Sequence, residues 1–331
     1  MSITEQLNLL GLEETRRRAA ADAVTPKQRE RLLRRVEAAH ELLSTLPEAE
    51  DLSFLHSGLC QTALPHSRPE SNHAVWRRTS GRFTLSITPG TLARPDSHPA
   101  DDGWVGVPYG TKARLILIHL QTEGLKARTV SLGPSLSAFL RSLGLPVTGG
   151  PRGSITAVRE QALRIARCSF SLQWSDIDAA SGVTKTMVSD TRIVDGLELW
   201  EGRGGNEWNG TVELSSRFHE HLREHAVPLD KRAIAHLSGN SLGLDLYALL
   251  AYRLPRLKQE VHLRWAALQS QIGSEESAMK ELARRVRQVL PDVIVAYPHA
   301  RIETTPTGLT LRPSQAAVPR LSIRGIKLVG S

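Results

Sequence analysis

Apolar positions along the chain switch between helical and strand spacing in an order that repeats. Residues 1–47 read as helix, because Leu32, Leu33, Val36 and Ala39 recur at helical spacing and Pro26 after Thr25 marks a start. Residues 48–80 are irregular and polar, whereas Phe83–Thr88 alternates like a strand. Pro89, Gly90, Pro95, Pro99, Asp101, Asp102 and Gly103 then crowd together, which predicts a linker and a boundary near residue 100. From 104 to 229 the order is helix, helix, helix, hairpin. Lys112–Glu123 is strongly apolar, Pro134 opens and Gly144 closes a short helix at Ser135–Leu143, and a third helix spans 153–167. Cys168–Trp174 and Lys185–Val194 alternate as strands, and Leu197–Trp200 begins another.

Residues 230–313 repeat this order. Leu244–Leu254 is an apolar helix ended or kinked by Pro255, and Trp265–Ile272 is a short helix stopped by Gly273. Ser274 reads as the N-cap of Glu275–Leu290, which Pro291–Asp292 breaks. Val293–Tyr297 and Gly308–Leu311 then flank a Pro/Thr/Gly turn as a hairpin. Two copies of this order are what tandem winged helix-turn-helix domains require. The predicted fold class is α+β. The two winged-helix domains fall at 101–229 and 230–313, with a helical, partly irregular extension and linker over 1–100 and a tail over 314–331.

Charge narrows the function. The 331 residues carry 42 Lys plus Arg against 34 Asp plus Glu, a formal charge of +8, with 40% hydrophobic and 23% charged residues. That balance is globular, and its excess of positive charge suits a polyanionic partner, nucleic acid foremost. The N-terminal arginines Arg16–Arg18, Arg29, Arg31, Arg34 and Arg35 are nearly matched by glutamates, so that stretch reads as a salt-bridged helix. Cys60 and Cys168 are the only cysteines, which excludes a disulfide framework or a CxxC cluster. No apolar run approaches the ~18 residues of a membrane span and no secretory leader pattern is present, so a soluble cytoplasmic protein is expected.

The third helix of each copy is the candidate DNA reader. In the first, Ile155, Val158, Ala162, Ile165 and Ala166 share one side. Thr156, Ala157, Glu160, Arg164 and Arg167 lie opposite, with Arg152, Gly153 and Ser154 at the start and Arg159 on the shoulder. In the second, Met279, Leu282, Ala283, Val286, Val289 and Leu290 form the buried side. Ser277, Glu281, Arg284 and Gln288 line the far side, flanked by Lys280, Arg285 and Arg287. Arginine can read guanine bidentately, Glu can accept from cytosine, and small residues let a helix approach the bases.

Three segments carry a resemblance. They are GWVGVPYGTKARLILIHLQTEGL (103–125), SLSAFLRSLGLPVTGG (135–150) and PRGSITAVREQALRI (151–165). Together they resemble the plasmid-encoded RepA-type replication initiators of bacteria, well over 103–200, weakly through 313 and poorly before 100. The resemblance implies a tandem winged-helix protein that binds repeated origin sequences, called iterons, in double-stranded DNA. It implies help in melting the origin, recruitment of the host initiator and the replicative helicase, and homodimers that repress their own promoter. Gly149, Gly150, Gly153, Ser154 and Thr156 match the family's DNA-facing turn, with Arg159 and Arg164 following it. In the second copy, Ser277 to Gln288 rests on helical geometry alone.

Other chemistry is sparse. No GxxxxGK[ST] loop or GxSxG elbow occurs, and Gly202, Gly204 and Gly205 in EGRGGN read as a turn. His221–His225 (HLREH) has the order of an inverted zinc protease, but Pro228 follows closely and a polar connecting helix is the better reading. The six tryptophans are scattered, at 76, 104, 174, 200, 208 and 265, and read as packing residues, as does Tyr109. The expectation is a non-enzymatic DNA binder without cofactor or metal. The alternatives are a winged-helix transcriptional repressor or partition adaptor, and a hydrolase built on HLREH.

Overall fold

The computed structural model describes residues 1, 3–92, 103–177, 184–198, 210–273 and 278–319. The chain begins with α1 (Ile3–Ala21), interrupted at Gly11, and α2 (Pro26–Ser44), which Thr25 caps. Next come β1 (Leu52–His56), α3 (Ser57–Gln61), β2 (Trp76–Ser80) and β3 (Phe83–Thr88). The middle of the chain holds α4 (Gly110–Gly124), β4 (Thr129–Ser131), α5 (Leu136–Ser142) and α6 (Ser154–Arg167). It continues through β5 (Ser169–Ile177), β6 (Thr184–Arg192), β7 (Val194–Glu198), β8 (Thr211–Leu214) and α7 (Ser216–His225). Then follow β9 (Ala226–Asp230), α8 (Lys231–Leu237), α9 (Ser241–Arg253), β10 (Val261–Arg264), α10 (Trp265–Ile272) and α11 (Met279–Ala296). The last elements are β11 (Arg301–Thr304) and β12 (Gly308–Arg312). Helix and small sheets are mixed throughout, an α+β chain, and no described helix is long and apolar enough to cross a membrane.

One topology occurs twice. In α4–β4–α5–α6–β7–β8 the three strands form a sheet ordered β4-β8-β7. In α9–β10–α10–α11–β11–β12 they form a sheet ordered β10-β12-β11. Both sheets are antiparallel and both place the last strand in the middle. The first copy differs from expectation. Its alternating hairpin, β5–β6, belongs to another sheet ordered β2-β3-β5-β6, and the strands of the repeat are β4, β7 and β8. In the second copy Val293–Tyr297 is not a strand. α11 runs through Pro291 to Ala296, and the hairpin is β11–β12. Pro291 lacks an N–H and faces outward, so water can satisfy the carbonyl it leaves. Burial of Leu290, Val293, Val295 and Ala296 then outweighs the proline's cost.

The chain divides into two compact units. The first comprises residues 1–53, 228–265 and 278–319 of the described chain, and the second 54–227 and 266–273. Residues 1–100 therefore do not stand apart as an extension: α1 and α2 belong with α8, α9 and α11, while β2 and β3 join the sheet of the second unit.

In the second unit α4 is apolar nearly all round, with Ala113, Leu115, Ile116, Leu117, Ile118 and Leu120 buried, as a central helix must be. The stretch expected to be irregular, 48–80, is tied down by buried polar groups. Arg114 donates to the carbonyls of Leu64, Pro65 and Gly110, at 2.7, 3.1 and 2.8 Å. Arg78 donates to the Gly273 carbonyl and stacks 3.6 Å over Trp76, whose Nε1–H donates to Ala63. Such bonds let a segment of few apolar residues bury its backbone without leaving polar groups unpaired.

In the first unit an ion pair is buried. Arg35 on α2 donates through Nε and Nη2 to Asp292 on α11 at 2.5 and 2.7 Å, with the side chains 9% and 23% exposed. His236 of α8 lies 3.4 Å from the same carboxylate. Burial opposes ionisation of Asp292, but the hydrogen bonds from Arg35 and His236 prevail and hold its pKa well below the usual carboxylate range. Asp292→Asn should therefore destabilise the chain by about 3 kcal/mol, because the Arg35 charge is left buried without its partner. Urea unfolding at pH 7 measures this, and a change within about 0.5 kcal/mol would show the pair to be dispensable.

Candidate nucleic-acid interface

α11 is divided along its length. Leu282, Ala283, Val286, Val289, Leu290 and Val293 point inward, and Lys280, Arg284, Arg287 and Gln288 are exposed. The exposed residues fall at i, i+4, i+7 and i+8, one helical stripe. Glu281 and Arg285 flank it half-buried. Ser277 and the expected cap Ser274 lie outside the described residues.

The sheet β10–β12–β11 is fastened beside this helix. Trp265 donates from Nε1 to the Pro306 carbonyl at 2.9 Å and from its backbone to Thr307 at 3.0 Å, so it staples the β11–β12 turn. Arg287 reaches the Thr305 carbonyl at 3.3 Å, its guanidinium 5.1 Å from the Trp265 ring. At Gly308 a Cβ would sit 2.1 Å from the Leu263 carbonyl, so only glycine lets β12 approach β10. His262, Arg264 and Arg301 are exposed on these strands. Two of them, His262 and Arg264, lie on a strand to which the sequence reading assigned no element. The alternation of Val261, His262, Leu263 and Arg264 was the available signal.

α6 carries fewer of its expected residues outward. Arg152, Thr156 and Arg159 are exposed. Arg164 is not: it is 3% exposed, with Nε and Nη2 donating to Glu160 at 3.2 and 2.9 Å and Nη1 to the Val107 carbonyl at 3.1 Å. Its expected DNA-facing role does not fit this burial, and Arg164 is a structural residue. The buried face is Ser154, Val158, Gln161, Arg164 and Ile165, turned from the face that apolar spacing selected. Ser154 is also buried. Its hydroxyl donates to the Pro146 carbonyl at 2.5 Å and accepts from the Thr148 amide at 3.0 Å, while Thr148 Oγ1 accepts from the Ser154 amide at 2.9 Å. A Cβ at Gly153 would lie 2.4 Å from the Thr148 and Gly149 carbonyls, so this glycine serves the turn. Gly153 and Ser154 thus shape the start of α6 and do not face solvent. Tyr109 packs against the same helix, its amide donating to Gln161 Oε1 at 2.8 Å.

HLREH lies on α7, where His221 meets His56. The two rings are 4.9 Å apart at their centroids, and His225 lies 4.3 Å from His221. The Gly58 amide donates to His56 Nδ1 at 3.0 Å, so Nε2 carries the proton and donates to His221 Nδ1 at 2.8 Å. The nitrogens that face each other are consumed by that bond, and a neutral His56 has no lone pair at Nε2 to give a metal. Among the described residues no three His, Cys, Asp or Glu side chains are placed to hold a metal ion. Burial, then the neighbouring His221 and His225, lowers the His56 pKa to about 3, and burial also lowers that of His221. Trp76 and Trp265 are buried, and Trp104 is half-buried and stacked on His73. The side chain of Trp174, Trp200, Trp208 and the EGRGGN turn lie outside the described residues.

The family model described as plasmid-encoded RepA protein matches residues 107–270. No curated protein matches the chain. Two crystal structures of RctB are similar to it. One, of selenomethionine derivatives of domains 2 and 3, shares 11% identity, with a TM-score of 0.49, covering 79% of this chain and 98% of that one. The other, of domains 2–3 spanning residues 155–483 of RctB, shares 12% identity, with a TM-score of 0.44, covering 76% and 94%.

Two outcomes are expected. Arg164→Ala should destabilise by about 3 kcal/mol, since it strips partners from a buried network, while Arg152→Ala stays within about 0.5 kcal/mol. Equal effects on thermal unfolding would contradict the assignment of inside and outside on α6. Folding depresses the pKa of His56, so the unfolded chain takes up its proton first. The contribution of His56 is complete above pH about 6.5 and is lost as pH falls toward 3, at up to about 1.4 kcal/mol per unit. Urea midpoints between pH 6.5 and 4.5 should fall in wild type and flatten in His56→Gln. A variant with the wild-type slope would count against the neutral pair.

Proposed function

We propose that this chain, whose residues 107–270 match the family model described as plasmid-encoded RepA protein, is a replication initiator that binds repeated double-stranded DNA at a plasmid origin. The two copies of the repeated topology act as winged helices, with α6 and α11 each presented to a major groove and the hairpins β7–β8 and β11–β12 to the backbone. The observation that carries this reading is the exposed stripe of Lys280, Arg284, Arg287 and Gln288 on the third helix of its copy, beside a stapled hairpin. Arg152, Thr156 and Arg159 are the corresponding outward residues of α6, with Glu281 and Arg285 at the edge of the α11 stripe. No covalent step is required. Binding, bending and local opening of the origin prepare it for the host initiator and replicative helicase, and homodimers hold the protein back from initiation.

Binding to DNA carrying direct repeats from beside the gene should weaken steeply with salt, with a log–log slope of about −0.9 for each phosphate contacted. Arg285→Ala or Lys280→Ala should reduce that slope by about one if the residue meets a phosphate. Equal affinity for the repeats and for random duplex across salt would remove the specificity. Loss of plasmid maintenance when the gene is deleted separates initiation from a repressor role.

A further inference from the structure

We infer that Glu281 is a positioning residue that holds the Arg284 guanidinium side-on, so that its outer edge is presented to a guanine in the major groove; this rests on the DNA-binding reading above. Arg284 Nε donates to Glu281 Oε2 at 2.8 Å and Nη2 donates to Oε1 at 2.6 Å. The residues are i and i+3 on one helix, with side chains 41% and 59% exposed, so the pair stands on the outer surface and is not packed away. That side-on contact uses Nε–H and one N–H of Nη2. The Nη1 N–H groups and the second N–H of Nη2 remain on the far edge, the fork that spans the O6 and N7 of guanine.

Other arginines contrast with this one. Arg164 has the same Glu partnership but spends Nη1 on a backbone carbonyl inside the unit. Arg312 lies between Glu260 and Glu303, and Arg287 is turned to Thr305. Arg284 is the arginine of α11 that combines a fixed plane with an open fork. An unsupported arginine loses much rotamer freedom when it docks, and a carboxylate across its inner edge restricts that freedom beforehand. The hydrogen bonds to Arg284 lower the Glu281 pKa, so the carboxylate is charged at neutral pH.

The carboxylate has a second effect. It cancels one positive charge on the face that approaches DNA, which weakens attraction to phosphates of any sequence. Glu281 therefore raises selectivity while lowering indiscriminate affinity, and its removal changes the two in opposite directions. Damage to the fold would lower both.

The test selects binding sites from a pool of random-sequence duplexes with the full chain, then measures binding to a selected and an arbitrary duplex at several salt concentrations. Wild type should select a site containing a guanine that Arg284→Ala no longer requires. Glu281→Gln should lower the preference for that guanine about tenfold, raise affinity for arbitrary duplex a few-fold, and steepen the salt dependence by about one phosphate. Glu281→Asp, which keeps the charge, should retain more of the preference than Glu281→Gln. Circular dichroism melts identify variants that fold. An unchanged guanine preference in folded Glu281→Gln, a parallel loss on both duplexes, or a preference that survives Arg284→Ala would overturn the positioning role and leave DNA binding standing. A pool from which wild type selects nothing would overturn both.

Discussion

Asp292 lies in the second half of α11 and Arg35 in the middle of α2, and neither charge can be buried without the other. Their pairing, with His236 alongside, acts together with the burial of Leu282, Val286, Val289 and Val293 to orient α11 about its own axis. Rotation decides which side chains face water. With Val286, Val289 and Val293 held inward, Lys280, Arg284 and Gln288 are left outside. The cationic stripe is thus the complement of a seam that apolar packing and the ion pair hold together.

Much of the element order was legible because the signals were local. Thr25 and Pro26 start α2, Pro134 and Ser135 start α5, and the apolar runs give α4 and α9. Signals failed where tertiary contacts outweighed local preference. Pro291 reads as a breaker, yet α11 passes through it because the next turn is buried. The three residues of β4 carry no pattern of their own and exist through pairing with β8, so the longer alternation of β5 and β6 was mistaken for the wing hairpin of the first copy. The sequence between 48 and 80 looks unstructured because arginines and backbone carbonyls hold it, with few periodic apolar residues.

The candidate surface was legible on α11 and only partly on α6, for a definite reason. An amphipathic reading assumes that charges face water. Arg284 obeys that assumption, whereas Arg164 breaks it by finding Glu160 and the Val107 carbonyl in the interior, beside a buried Gln161. One polar side of α6 therefore faces inward, and the apolar stripe misstates the helix's orientation. Ser154 and Gly153 carried a true signal that was assigned the wrong purpose. The turn before α6 needs a hydroxyl to bond the Thr148 amide and a residue without Cβ, whether or not a phosphate ever approaches.

The unit formed by residues 1–53, 228–265 and 278–319 has an implication for how the protein is made. Its α2 packs against α8 and α11, which follow it by more than 180 residues. The amphipathic α2 must wait, with those partners unmade, while the intervening residues emerge. During that interval its apolar face is open to chaperones, proteases or another nascent chain from the same message. The rate of translation through the middle of the gene therefore bears on how much of the protein reaches its native state.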